Sequence, residues 1–267
     1  MRAYLSILKV RFIMLLQYRV AAIAGGCTQL LFGFIMIMIL DAFYSSSTAI
    51  QPISFSQTVT YMWLNQALLA TVMPWGGDNE IETMIRSGNV AYELCRPVDL
   101  YNLWFSRAIA LRTAPTILRA IPIAAVAFLV PGRYSLQLPA SLQHFLAWIL
   151  AMIGSVFISA AITNLINVST LWTISGLGFK RLIPAFVIFA SGALIPLPLF
   201  PQWLRTILDI LPFSGLVDIP MRFYTGHLSV SMLFPLFGKQ LLWAITLIWM
   251  GRMFLKRSMK QVVVQGG

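Results

Sequence analysis

The sequence predicts an all-α polytopic membrane protein: six transmembrane helices, an N-terminal interfacial helix, and short re-entrant outer helices before the last span. Two features of the composition lead to this fold class. Hydrophobic residues make up 59% of the chain, against about 45–50% in soluble proteins. Charged residues make up 10%, against about 25%. So little charge cannot cover a soluble surface, whereas in lipid the backbone polar groups are satisfied within helices. The 267 residues therefore form a single transmembrane domain.

The positive charge of the chain predicts its orientation in the membrane. The net charge of +11 comes from residues that flank apolar runs, which fits the positive-inside rule better than a nucleic-acid-binding patch. Six spans place both termini on the same side, and that side receives 14 of the 19 Lys and Arg residues. The other side receives Arg133, Arg205, Arg222 and Lys239, while Arg119 remains inside the membrane. We therefore expect both termini in the cytoplasm.

The first elements are an interfacial helix and two spans. Residues 1–19 place Arg2, Ser6, Lys9 and Gln17 on one helical face and Leu5, Leu8, Phe12, Leu15 and Leu16 away from it. The run 20–40 is longer than the apolar part of a signal peptide, so it is interpreted as the first span. After a loop, 41–57, the second span is predicted over 58–75. Asn65 and Gln66 near its middle form hydrogen bonds between helices or line a translocation pathway.

The polar segment 76–102 contains five of the eight acidic residues of the chain. Asp78, Glu80 and Glu82 are interpreted as a solvated loop, with Mg²⁺ binding as the less favoured alternative. A break at residues 86–88 then precedes a short helix, 90–96, capped by Asn89 and stopped by Pro97. The helix is expected to present four residues to the cytoplasm: Val90, Tyr92, Glu93 and Leu94. The residues alone leave two roles equally open, docking on a soluble partner or lying on the bundle of its own chain.

The third span, 108–130, contains Pro115 and Pro122 and carries Arg119 near its centre. Arg112, Thr116 and Arg119 share one helical face, which indicates a pathway or a subunit interface. The alternative is a shifted span whose Arg119 reaches the membrane surface. Because no acidic residue lies at the same depth, a partner carboxylate, a lipid headgroup or an anionic substrate would have to balance Arg119.

The remaining elements are three spans and an unusual outer segment. The fourth span, 145–166, repeats a small or polar residue every four positions, which predicts close helix packing, at Ala147, Ala151, Ser155, Ser159, Thr163 and Asn167. The fifth, 182–197, is short and broken by Pro184, Gly192 and Pro196. In the segment 198–234, a first short helix is predicted to begin at Pro201, to include Trp203 and to end near Pro212. A second short helix is predicted to be capped by Ser214, to include Val217 and Asp218, and to be interrupted by Pro220. Both suit re-entrant helices that close an outer gate. The sixth span is 235–251.

Motifs for catalysis or nucleotide binding are not found in the sequence. Gly238-Lys239 is followed by Gln240, so the chain has no phosphate-binding loop, and an ATPase would have to be another subunit. His144 and His227 have no partner at a catalytic spacing. Cys27 and Cys95 form neither a disulfide framework nor a metal site. We therefore expect no catalytic residues, no metal and no cofactor in this chain.

Taken together, these parts resemble the type-2 ATP-binding-cassette permeases, the membrane subunits of many bacterial exporters. The most specific similarity is Arg86-Ser87-Gly88 followed by Leu94-Cys95-Arg96-Pro97-Val98, which resembles the Gly…Leu-x-Arg-Pro pattern of the coupling region. The resemblance implies that this region docks on an ATPase, with Arg86, Gly88, Tyr92, Glu93, Leu94, Arg96 and Pro97 as candidate coupling residues. It also implies that the helices near Trp203 and Val217 form the outer gate.

The resemblance further implies an assembly in the bacterial inner membrane. Two permeases, identical or homologous, would pair with two ATPase subunits that bind ATP and Mg²⁺, and the pathway would carry a hydrophobic or amphipathic substrate. An ATPase-independent secondary transporter or channel is the alternative, disfavoured because no acidic residue lies within a predicted span. A membrane enzyme acting on lipids is disfavoured because the chain lacks a paired-carboxylate or His-rich site.

Overall fold

The structure, a computed structural model, describes residues 2–72, 74, 77–172 and 177–259. All regular structure in these ranges is helical. The first six α-helices are α1 (Arg2–Leu16), α2 (Arg19–Ser46), α3 (Phe55–Val72), α4 (Asn79–Arg86), α5 (Val90–Leu94) and α6 (Leu100–Leu129). The others are α7 (Leu142–Ser169), α8 (Leu177–Ala190), α9 (Gln202–Ile210), α10 (Asp218–Tyr224) and α11 (Leu233–Ser258).

Within the described residues, four helical segments are long and apolar enough to cross a membrane: α2, α6, α7 and the stretch Val230–Ser258 that contains α11. Two of the six predicted spans do not meet this standard. α3 has 18 residues, 12 of them buried, and includes Asn65 and Gln66. The described part of α8 has 14 residues and is about 21 Å long, which is shorter than a hydrocarbon core of about 30 Å.

The helices extend beyond the predicted spans. α2 continues to Ser46, α6 begins at Leu100, and α11 runs to Ser258. Pro115 and Pro122 lie inside α6 without ending it, because packing against neighbouring helices compensates for proline within a membrane helix. The predicted end of the second span at residue 75 lies outside the described residues.

The bundle has two ends that carry different short helices. The α4–α5 end comprises α1, α4, α5, the first turns of α6 and the last turns of α7 and α11, packed around an apolar cluster that includes Ile81 and Trp104. The α9–α10 end comprises α9, α10, the first turns of α7 and α11, and the last turn of α6 near Leu136. The two ends therefore lie at opposite ends of the long helices.

The face of α7 that carries a small or polar residue at every fourth position packs against other helices, as predicted. All six of its members are buried, and α7 contacts α6, α10 and α11. Gly154, on the same helix, lies against Gln240 of α11 so closely that a Cβ would be 2.5 Å from its Oε1. Gln240 Nε2 donates to the carbonyl oxygens of Ala151 (3.0 Å) and Gly215 (2.7 Å). Small residues on α7 thus let α11 approach closely enough for these buried hydrogen bonds.

The fifth predicted span is interrupted by an irregular turn, which we call the 191–197 turn. α8 ends at Ala190, and Gly192 has a φ of +83°, a conformation that glycine tolerates best. Tyr61 Oη donates to Gly192 O (2.9 Å), and Asn65 Nδ2 donates to Ala193 O (2.8 Å). At the end of the turn, Leu197 N donates to Asp218 Oδ1 (3.1 Å). Side chains of α3 and α10 therefore supply the hydrogen bonds that this backbone cannot make internally.

Candidate functional site

The segment between α3 and α6 begins with a capped helix rather than a loop. Asp78 Oδ1 accepts from Glu80 N (2.9 Å) and Ile81 N (3.4 Å), the geometry of an N-cap. Asp78 N donates to Asn167 Oδ1 at 2.8 Å, which fixes the start of α4 against α7. The prediction of a loop is wrong here, because Glu80 and Glu82 lie on a helix, and the extended backbone that the Mg²⁺ alternative required is not formed at these residues.

Arg107 on α6 connects the short helices of this end. Its guanidinium contacts Asp78 Oδ2 (3.0 Å), Glu80 Oε2 (3.0 Å) and Glu93 Oε1 (3.3 Å), and its side chain is 4% exposed. Arg11 on α1 also pairs with Glu80. One buried cation therefore joins α4 and α5 to α6, and through Glu80 it is linked to α1. We call this group of ion pairs the Arg107 cluster.

A further ion pair attaches α4 to α8. Glu82 pairs with Arg86 on its own helix (2.7 Å) and with Lys180 on α8. Within the Arg107 cluster, the hydrogen bond from Arg11 is the main cause that lowers the pKa of Glu80 below its ordinary value. The carboxylates of α4 are therefore bound by cations from three other helices, α1, α6 and α8.

α5 turns only part of its surface outward. Val90 and Glu93 are buried, and Trp104 Nε1 donates to Glu93 Oε2 at 2.7 Å. The prediction that both residues face the cytoplasm is wrong, because residues three apart share the helical face that packs on α6. Tyr92 and Leu94 are 74% and 41% exposed.

The ends of α5 also differ from the prediction. Asn89 makes no capping hydrogen bond, since its backbone is already helical (φ −64°, ψ −8°), and the helix ends at Leu94 rather than at residue 96. The break before α5 is present at Gly88, whose φ is +75°. Four other residues of the predicted coupling pattern are exposed: Arg86, Gly88, Arg96 and Pro97.

At the α9–α10 end, the predicted gate residues occupy different environments. Pro201 and Trp203 are exposed on α9, whereas Pro212, Val217 and Asp218 are buried. Asp218 Oδ2 accepts from Arg222 Nη1 at 2.8 Å.

The predicted start of the second short helix is wrong. Ser214 does not cap α10, which begins at Asp218; its hydroxyl donates instead to the carbonyl oxygens of Asp209 (3.4 Å) and Leu211 (3.3 Å). Pro220 does not interrupt α10 because it lies in the first turn, where no intrahelical N–H bond is required.

The five predicted pathway residues separate into two groups. Asn65, Gln66 and Arg119 line one cavity of about 480 Å³ between α2, α3, α6 and the 191–197 turn. Arg112 and Thr116 lie elsewhere: Arg112 Nε donates to Thr163 Oγ1 (3.0 Å), and Thr116 shares a 2.6 Å hydrogen bond with Thr71. These two therefore take part in packing among α3, α6 and α7.

Comparison with protein families matches residues 30–266 to the family described as ABC-2 family transporter protein. The chain belongs to this family. The match begins within α2, includes every later helix to the end of α11, and confirms the resemblance to type-2 permeases. Comparison with curated proteins gives no match.

Family membership gives the chain its general role. An ABC-2 family transporter protein is a multi-pass membrane protein, the permease subunit of an ABC transporter, and the family implies association with an ABC ATPase in general. The candidate site of this ABC-2 protein is then the α4–α5 segment with the Arg107 cluster. Among the described residues, no group of three or more His, Cys, Asp and Glu side chains could hold a metal ion.

Several important residues of this ABC-2 protein were not found from the sequence. Asp78 followed by acidic residues in the first turn is a helix N-terminus signal that could have predicted α4. From the sequence, Arg107 was counted only as a cytoplasmic charge. Gln29 lines the cavity formed around Arg119, Asn65 and Gln66, which we call the Arg119 cavity, and no local sequence pattern indicated this. Both depend on contacts between segments distant in sequence.

Proposed function

We propose that the chain is the membrane subunit of an ATP-driven exporter in a bacterial inner membrane, with both termini in the cytoplasm. A separate ATPase binds ATP and Mg²⁺, and two permeases, identical or homologous, enclose the pathway. The α4–α5 segment docks on the ATPase, and its movement changes access to the pathway from inside to outside. The chain itself carries no ATPase site and is not an enzyme.

The Arg107 cluster is the observation that supports this proposal. A docking segment transmits force only if it is attached to the helices that must move. Here α5 is attached to α6 through Glu93, and α4 through Asp78 and Glu80, all at the single guanidinium of Arg107. Displacement of the short helices would therefore pull directly on the first turns of α6, a helix that contacts α2, α3 and α7.

The exposed side of α5 supplies a contact surface for the ATPase. Tyr92, Leu94 and Arg96 are all exposed around a helix whose other side is buried. An apolar pair beside a cation suits a partner groove with an apolar floor and an acidic rim. The docking face and the force-transmitting face of α5 are thus distinct.

The distribution of carboxylates favours an ATPase over ion coupling. Among the described helices that are long enough to span, the only acidic residue is Asp41. It lies near the end of α2 and pairs with Arg133 at 2.7 Å. Proton- or sodium-coupled transporters place such groups within the membrane.

Purification of the tagged chain from its native host in mild detergent tests the proposal. We expect a stoichiometric ATPase to copurify with the wild type. The double substitution Tyr92→Ala and Leu94→Ser should remove it, whereas Trp203→Ala, an equally exposed aromatic at the opposite end, should not. If the chain purifies reproducibly without an ATPase, or transports equally well with a catalytically dead one, the exporter proposal is wrong.

Glu93→Gln separates docking from transmission. The buried amide keeps the shape of the side chain but weakens the link to Arg107. We expect the ATPase to remain bound while its stimulation by the permease falls. Loss of the ATPase from this variant would instead show that α5 has no separate docking face.

A further inference from the structure

Arg119 is a cation placed deep in the membrane without a counter-ion. It lies ten residues before Leu129, the end of α6, which places it about 15 Å along the helix axis, near the middle of a core about 30 Å thick. Its Nε is buried without a hydrogen-bond partner. Within the described part of the chain it forms no ion pair. A charge at this depth is costly unless another group balances it.

The chain has no carboxylate left to balance Arg119, because all eight are engaged elsewhere. Three of them, Asp78, Glu80 and Glu93, pair with Arg107, and Glu82 pairs with Arg86 and Lys180. At the other end, Asp41 pairs with Arg133, Asp209 pairs with Arg205, and Asp218 pairs with Arg222. The eighth, Asp99, caps α6. An identical second copy would also have none to offer. The counter-ion must therefore come from outside the chain.

The cavity around Arg119 can hold such a group. It has a volume of about 480 Å³, and its polar lining also includes Gln29, Asn65 and Gln66. Thr28 and Phe32 on α2 are exposed at its rim, so the cavity opens at the surface of the bundle. Beside the guanidinium, the amide nitrogens of Gln29 and Gln66 can donate hydrogen bonds to a phosphate or carboxylate, whereas Asn65 Nδ2 already donates to Ala193 O.

An apolar groove continues from this cavity. It measures about 380 Å³ and shares Met36 and Leu194 with the cavity; the rest of its lining is Ile39, Leu40, Phe43, Ile195 and Leu199. The groove follows α2 toward the α9–α10 end. A cation followed by an apolar groove matches a molecule with an anionic head and an alkyl chain.

We propose that this cavity binds the anionic headgroup, phosphate or carboxylate, of an amphiphile whose alkyl chain lies in the adjoining groove. That the amphiphile is the transported substrate rests on the proposed function; binding itself does not. Arg119 supplies the charge, and the headgroup removes the cost of holding that charge in the membrane.

Gly25 offers a way to displace Arg119 without removing its charge. A Cβ on Gly25 would lie 2.7 Å from Arg119 Cζ and 3.0 Å from both terminal nitrogens, so the guanidinium is seated against this glycine. A Cβ on Gly26 would have no atom within 4 Å. Gly25→Ala should therefore move the guanidinium, and Gly26→Ala is its matched control on the same helix turn.

The test is native mass spectrometry of the purified full chain titrated with dioleoyl phosphatidylglycerol. Dioleoyl phosphatidylcholine has the same tails without net charge, and glycerol 3-phosphate has an anionic head without tails. We expect wild type to prefer phosphatidylglycerol. Arg119→Gln and Gly25→Ala should lower that affinity by about tenfold to a hundredfold, the range for a lost charged hydrogen bond. Gly26→Ala and Arg133→Gln should leave it unchanged.

Three results would overturn the proposal. The first is equal binding of both lipids in wild type and in the Arg119 and Gly25 variants. The second is glycerol 3-phosphate binding as tightly as the lipid, which would identify a site for free anions. The third is a preference of the wild type for phosphatidylglycerol that Arg119→Gln and Gly25→Ala leave unchanged. Because the assay involves neither ATPase nor transport, loss of the exporter proposal would leave an Arg119-dependent lipid site intact.

Discussion

The short helices at the α4–α5 end and at the α9–α10 end are attached to the bundle by different contacts. At the first, ion pairs join separate elements, and several are partly exposed; the Glu80 side chain, for example, is 55% exposed. At the second, the carboxylate of Asp218 is fully buried with Arg222 and also accepts from the backbone of the 191–197 turn. Breaking an exposed ion pair costs little free energy, whereas breaking a buried ion pair costs much more. The outer pair of the first end, Arg11–Glu80, should therefore break more easily than Asp218–Arg222 at the second, whereas the Arg107–Glu93 pair at the centre of the first end is itself buried.

The largest expected effect on stability is at the α9–α10 end. Asp218→Asn leaves the Arg222 charge buried without its partner, which should cost about 3–5 kcal/mol in the free energy of unfolding. Titration with SDS, followed by tryptophan fluorescence, measures the change. Asp209→Asn is the control, since Asp209 forms a half-exposed pair with Arg205 and should cost less than about 1 kcal/mol. Equal costs for the two variants would remove the contrast between a buried and a partly exposed ion pair.

A smaller effect is expected at the 191–197 turn. Tyr61→Phe removes the donor to Gly192 O and leaves a buried carbonyl unsatisfied, which should cost about 1–3 kcal/mol. The same SDS titration applies. Tyr18→Phe changes a ring that is 64% exposed and should be neutral. A neutral Tyr61→Phe would mean that the turn does not depend on α3 for its hydrogen bonds.

The smallest effect on stability is expected at the α4–α5 end. Arg11→Gln breaks a partly exposed pair with Glu80 and should cost about 1 kcal/mol or less, with the cost disappearing in high salt. Hydrogen exchange of α1 measures it. Because the pKa of Glu80 is lowered in the folded state from 4.5, the pair is intact at that pH and above and is lost as the pH falls further. The protection of the α1 amides in wild type, measured relative to the intrinsic exchange rate at each pH, should fall in this acid range, and constant protection would contradict the assignment.

The sequence predicted the elements whose signals are local. Apolar length identified α2, α6, α7 and α11; Gly88 marked the break between α4 and α5; and the four-residue repeat of α7 predicted its packing face. These signals depend on residues within one or two helical turns of each other. The irregular fifth segment was also visible, because Pro184, Gly192 and Pro196 disrupt any continuous span.

What the sequence could not predict are contacts between distant segments. Glu93 was expected to face outward because a glutamate on a short helix is usually exposed; its burial depends on Trp104 and Arg107, which belong to another helix. The sequence predicted the second span, 58–75, but not that most of α3 is buried, since Asn65 and Gln66 contact the 191–197 turn and the Arg119 cavity, which are formed by other segments. Neither the cavity nor its adjoining groove has a sequence pattern.

The 191–197 turn also has a consequence for how the protein is made. The described part of α8 is shorter than the hydrocarbon core, and the turn after it would expose unpaired peptide groups to lipid. Tyr61 and Asn65 have been synthesised by the time the turn emerges from the ribosome, but Asp218 follows it by about twenty residues. The turn therefore finds its full set of hydrogen bonds only after α10 has been translated. We therefore expect the membrane insertion of this part of the chain to be coupled to its tertiary folding.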